Sequence, residues 1–107
     1  MIQVVNKKTW KGGGFYIGRP SPLGNPFSHL AGTKAEFRVA NRDEAIDKYR
    51  VWLEDRLDSE NPTSRAFVTL LEEYDRTGEL TLICWCVPER CHGEIIKEFI
   101  EACAGKT

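Results

Sequence analysis

The stretch "LTLICWCV", residues 80–87, constrains the fold more than any other. It is a continuous apolar run flanked by polar residues. Its length and composition suit a strand buried on both faces, as strands of parallel sheets are. "PER" (88–90) then turns the chain. "CHGEIIKEFIEACA" follows as a helix, with Ile95, Ile96, Phe99, Ile100 and Cys103 along one side. In open parallel sheets, ligands bind at the carboxyl ends of the strands. The turn after residue 87 is therefore the first place to look for chemistry.

The rest of the chain supplies partners for that unit. "IQVVN" (2–6) is short and β-branched, and "FYIG" (15–18) reads as a second strand. "RPSPLGNPFSHLAGT" follows as a long irregular loop, stiffened by Pro20, Pro22 and Pro26 and anchored by Leu23 and Phe27. "ANRDEAIDKYRVWLEDRL" is the clearest helix. Asn41 and Glu44 form a capping-box pattern, and Ile46, Tyr49, Leu53 and Leu57 make an apolar stripe that Trp52 widens. A second helix spans roughly 63–77, with Phe67, Leu70, Leu71 and Tyr74 buried and Gly78 at its end. The expected architecture is a small α/β single domain over residues 1–107. It is Rossmann-like and layered, with a short, mostly parallel sheet flanked by helices. The loops at 18–28 and 84–94 both follow strands, so they should converge at one crevice.

Composition places the chain among ordinary globular proteins. Hydrophobic residues are 41% and charged residues 29% of 107, which disfavours disorder. No apolar run approaches the roughly 20 residues of a membrane span, and the first residues lack a signal-peptide pattern. A cytoplasmic location with reduced cysteines is the expectation. The net charge is −1, but its distribution is uneven. Lys7, Lys8, Lys11, Arg19 and Lys34 precede the first acidic residue, Glu36, leaving ten basic against sixteen acidic residues in the remainder. A basic, glycine-rich first third suits a small anionic ligand. Nucleic acid, stacked on Trp10, Phe15 and Tyr16, is the lower-ranked partner. Nothing in the sequence fixes an oligomeric state.

"CWCVPERCHGE" (84–94) holds three of the four cysteines. In a strand, Cys84 and Cys86 share a face, with Trp85 opposite. Cys91 and His92 then open the last helix. One reading is a zinc site made by Cys84, Cys86, Cys91 and His92. The C-x-C and adjacent Cys-His spacings are unusual for it. A second is a reactive site at a helix N-terminus, where the dipole favours a thiolate and His92 transfers protons, with Cys91 or Cys86 as the thiol. The third is plain packing, preferred for Cys84 and Cys103. No cofactor is required by the second reading, and zinc is the alternative.

In the glycine–proline loop, Gly18 and Gly24 allow turns or close approach. Arg19 offers a planar fork for phosphate or carboxylate. Ser21, Asn25 and Ser28 offer hydrogen bonds. "GGG" (12–14) is neither a phosphate-binding P-loop nor a dinucleotide fingerprint and suggests only flexibility. Arg42 lies in a first helical turn, where the dipole disfavours a cation, so gripping an anion would explain it.

Together "VVN", "YIGRPSPLGNPF", the R-x-E-A-I-x-x-Y-x-x-W-L pattern (42–53) and "LICWCVPERCHG" (82–93) resemble the domain of unknown function 4326 family of bacteria and tailed phages. The resemblance covers nearly the whole chain. That family has no settled activity. Its layout is similar to small nucleotide- and nucleoside-handling domains, whose N-terminal strand and loop hold a sugar or phosphate. The signature positions fall on Asn6, Gly18, Arg19, Ser21, Leu23, Gly24, Asn25, Pro26, Phe27, Arg42, Tyr49, Trp52, Cys84, Cys86, Pro88, Cys91, His92 and Gly93. The resulting expectation is a ligand site from Asn6, Gly18, Arg19, Ser21, Gly24, Asn25 and Arg42. His92, Cys91 and Cys86 would form the catalytic group. A nucleotide- or nucleoside-processing enzyme, a hydrolase or transferase, would use them so. A zinc-stabilised phage accessory module is the alternative.

Overall fold

Parallel pairing of the apolar segments organises the chain. In the computed structural model, which describes residues 1–29 and 37–105, β1 (Ile2–Asn6), β2 (Phe15–Tyr16) and β5 (Leu80–Cys84) form one sheet in the order β1-β5-β2. All pairings are parallel, running from Ile2↔Leu80 to Asn6↔Cys84 and from Phe15↔Leu82 to Tyr16↔Ile83. A second, two-stranded parallel pair, β3 (Phe27–Ser28) with β4 (Phe37–Arg38), was not expected from the sequence. The rings of Phe27 and Phe37 stack across it at 5.2 Å. Three helices complete the fold: α1 (Arg42–Leu57), α2 (Pro62–Thr77) and α3 (Gly93–Ala104). This is the expected small α/β arrangement.

The strand from the 80–87 run stops early. Its last ladder bond runs from the Lys7 N–H to the Cys84 carbonyl, at 2.7 Å. Beyond it the Asn6 side chain, not the β1 backbone, serves the carbonyls of Trp85 and Val87. The chain leaves the sheet there, and Trp85 is 55% exposed. The strand is also not buried on both faces. Leu80, Leu82 and Cys84 are buried, whereas Thr81 and Ile83 are half-buried. On the deep side they join one cluster with Tyr49 and Leu53 of α1, Phe67 and Leu70 of α2, and Ile95, Ile96 and Ile100 of α3. The shallow side carries Gln3, bonded to Thr81 at 3.0 Å, and the glycine loop. Gly14 has φ +151° and lies so close that a Cβ would sit 2.9 Å from the Thr81 carbonyl. The glycine run thus has a packing role beyond flexibility.

The caps follow the sequence. Asn41 accepts from the Glu44 N–H at 2.8 Å, while Glu44 reaches the Ala40 N–H, one residue before the cap. Gly78 closes α2 in the left-handed region, φ +74°. Cys103 is exposed, against expectation, because Ile100 is the last buried residue of α3. Among the described residues, no helix is long and apolar enough to cross a membrane.

Arg50 of α1 makes a two-pronged pair with Glu98 of α3, at 2.6 and 2.9 Å. Both side chains are substantially exposed. A double-mutant cycle with Arg50→Ala and Glu98→Ala should return a coupling below about 1 kcal/mol that shrinks with salt.

Candidate functional site

Because the sheet is parallel, β1, β2 and β5 all end at one edge, at Asn6, Tyr16 and Cys84. The glycine–proline loop and the cysteine loop leave the sheet side by side there. His92 Nε2 lies 2.7 Å from the Ile17 carbonyl and joins them directly. Since a carbonyl only accepts, Nε2 carries the proton and Nδ1 is left with a lone pair.

The loops and the start of α1 enclose a cleft of about 470 Å³. Of the residues singled out in the sequence, Gly18, Arg19, Asn25, Phe27, Ser28, Arg42, Cys84, Cys86 and His92 line it. Others stand behind it. Asn6 binds the Val87 and Trp85 carbonyls, at 2.7 and 3.2 Å, and clamps the cysteine loop. Ser21 and Gly24 make successive turns, Ser21 N–H to Gly18 O and Gly24 N–H to Ser21 O. Cys91 is fully buried. His29, Trp85 and Glu89 also line the cleft, and sequence reasoning missed them as site residues; Tyr16 lines it too, a residue the sequence offered only for stacking on nucleic acid. Trp85 was placed on the far face of a strand that has already ended. A tryptophan next to a proline turn was the available signal.

The loop is held firmly. Leu23 is buried, and its carbonyl accepts from the Tyr49 hydroxyl at 2.7 Å. The Pro22 carbonyl accepts from Thr63, also at 2.7 Å. Asn25 is spent on structure, accepting from the Phe27 N–H and donating to the Ala45 carbonyl. Arg19 donates to the Asn25 carbonyl at 2.6 Å. Arg42, by contrast, makes no hydrogen bond or ion pair among the described residues. Opposite, Arg90 ties the cysteine loop to Asp43 and Asp47 of α1, at 3.1 and 3.3 Å. At the mouth, Trp85 Nε1 donates to the Tyr16 hydroxyl at 2.9 Å, and that hydroxyl bonds the Arg19 carbonyl.

Under the cleft the sulfurs of Cys84, Cys86 and Cys91 lie within 4.8 Å of one another, a set that could hold a metal ion. Cys91 Sγ is 2.9 Å from Cys84 Sγ. His92 stands beside this set, with Nδ1 3.6 Å from Cys91 Sγ. Hydrogen bonds from Cys84 and Cys91 pull the Cys86 thiol down to about 2, against its burial. The same shared protons push Cys84 and Cys91 up. Cys86, the thiol drawn down, lines the cleft together with Cys84, and Arg42 adds to the downward pull. Burial lowers the His92 pKa, leaving a neutral imidazole at neutral pH.

No curated protein and no solved structure matches this chain. One family model does, over residues 2–102, nearly the whole length. The chain therefore belongs to the domain of unknown function family DUF4326.

Proposed function

We propose that this protein binds a nucleotide-like, phosphorylated small molecule in the cleft at the sheet edge. The observation that carries the reading is Arg42. Its side chain makes no hydrogen bond or ion pair among the described residues and is met in the cleft only by the longer-range charge of the Cys86 thiol, in a first helical turn where the dipole disfavours a cation. Arg19 lies on the same cleft, and Glu89 is the one carboxylate facing them among its described walls. The exposed indole of Trp85 offers a π-face of the kind that stacks on a base. The volume falls in the range of small-molecule sites. Binding is proposed rather than turnover, because both His92 nitrogens already have neighbours, Ile17 O and Cys91 Sγ.

Tryptophan fluorescence should report the ligand. Nucleoside mono-, di- and triphosphates are titrated beside the unphosphorylated nucleosides. Quenching by the phosphorylated set, lost in Trp85→Phe, is the expected result. Arg42→Ala should weaken binding by about tenfold, the scale of one charge-assisted hydrogen bond. Equal binding of nucleosides and nucleotides would remove the phosphate from the reading. No binding below about millimolar would remove the reading itself.

A further inference from the structure

The cysteine set can be explained without reference to any ligand in the cleft. Cys84 ends β5, Cys86 lies two residues on in the loop, and Cys91 sits just before α3. Chain separation does not force these three together. The strand end, the proline turn and the helix start do. A thiol is a weak hydrogen-bond donor, so three thiols gain little by crowding one another. A thiophilic cation gives the crowding a cause.

We infer that Cys84, Cys86 and Cys91 form a three-sulfur site for a divalent ion of the zinc class, with its fourth position open to the cleft. The scale fits. Sulfurs held tetrahedrally about 2.3 Å from one ion lie about 3.8 Å apart, and the Cys84–Cys91 pair at 2.9 Å is on the near side of that spacing. Here all three lie within 4.8 Å of one another, so small side-chain rotations bring them onto a common centre. The surroundings fit as well. The Gly93 N–H points at Cys91 Sγ from 3.3 Å, a backbone donor to a coordinating sulfur. His92 packs against the same sulfur and is braced by the Ile17 carbonyl. Outer partners of this kind orient metal ligands. Cys91 is fully buried, but Cys84 and Cys86 line the cleft. The unshared side of the site therefore faces the cleft, where a water or a ligand donor completes four-coordination. Arg42 on the same wall offsets the charge of three thiolates on one divalent ion. Binding is exchange without redox: the ion enters, the thiols that still hold a proton lose it as their S–H bonds break, and those protons leave to solvent.

The test uses the whole chain, fully reduced and freed of metal, titrated with cobalt(II) and then zinc(II). The expected result is one ion per chain by native mass. Cobalt should give a sulfur-to-metal absorption band in the near ultraviolet, which zinc abolishes by displacement. Cys86→Ser should weaken zinc by more than the roughly 10–100-fold that loss of an outer partner costs. Cys103→Ser, at the exposed cysteine, should bind as the parent does. A folded, reduced parent that shows no cobalt–sulfur band overturns the inference. So does zinc uptake that Cys86→Ser leaves unchanged. A reduced chain that refuses both ions and instead oxidises to a Cys84–Cys91 disulfide also overturns it. None of these readouts depends on a nucleotide, so this inference and the ligand reading stand or fall separately.

Discussion

Tyr49→Ala is expected to cost about 3–5 kcal/mol, the usual toll of truncating a buried aromatic side chain. A chain of this length has about 5–15 kcal/mol in total, so about a fifth or more of its stability would go. Thermal melting should fall by more than about 12 °C, since each kcal/mol is worth several degrees in a small domain. The position explains the size. Tyr49 is completely buried on α1. Its ring lies 5.4 Å from Trp52 and edge-on to His92 at 5.0 Å. Its hydroxyl holds the Leu23 carbonyl at 2.7 Å, so one side chain joins the core to both walls of the cleft. Burial raises its pKa well above 10, keeping the hydroxyl protonated as that donor. Tyr49→Phe separates the two roles. It keeps the ring and should cost only about 1–3 kcal/mol, the penalty for a carbonyl left without its donor. Amide exchange should then rise in the 18–28 loop before it rises in β5. A Tyr49→Phe protein as stable as the parent would show that the loop is held without this bond.

What the sequence made legible follows from how local each signal was. The helices carried caps and stripes within a few residues, and Asn41, Gly78 and the Ile95–Ile96–Ile100 face stand where that periodicity put them. The convergence of the two loops followed from parallel pairing alone. Strand ends were less legible. Nothing in "ICWCV" marks where hydrogen bonding stops, because the stop is set by Asn6, 79 residues from Trp85 in the chain. That misplaced Trp85 and hid it as a wall of the cleft. Cys103 was misjudged for a similar reason: the helical stripe continues past the last residue the sheet can cover. The roles of Asn25 and Gly24 were also out of reach. Both carry residue types that suit a ligand, yet Asn25 ties the loop to Ala45, and Gly24 is packed against the Arg19 backbone. A polar residue in a rigid loop builds the loop before it serves a site.

Asn6→Ala should then be costly for a residue that is only half-buried, at about 2–3 kcal/mol. Its amide donates to two carbonyls of the cysteine loop, Val87 at 2.7 Å and Trp85 at 3.2 Å. Its side-chain oxygen accepts from the Lys8 N–H at 2.8 Å. Each bond contributes about 0.5–1.5 kcal/mol net, and the truncation also strands a part-buried acceptor. The expected pattern is more telling than the total. Asn6 is the last residue of β1, opposite Cys84, so its loss releases the loop without breaking the sheet. Amide exchange should quicken over residues 85–92, with β1 and β5 protected until global unfolding. Trp85 fluorescence should shift as its backbone loses its anchor. Asn6→Asp sharpens the test, because a carboxylate keeps the bond from Lys8 but sets negative charge against two carbonyls. It should be at least as damaging as alanine above the carboxylate pKa of about 3.9 and recover partly below it. If instead Asn6→Ala melts like the parent while nucleotide quenching disappears, Asn6 belongs to the ligand site and the clamp described here is incidental.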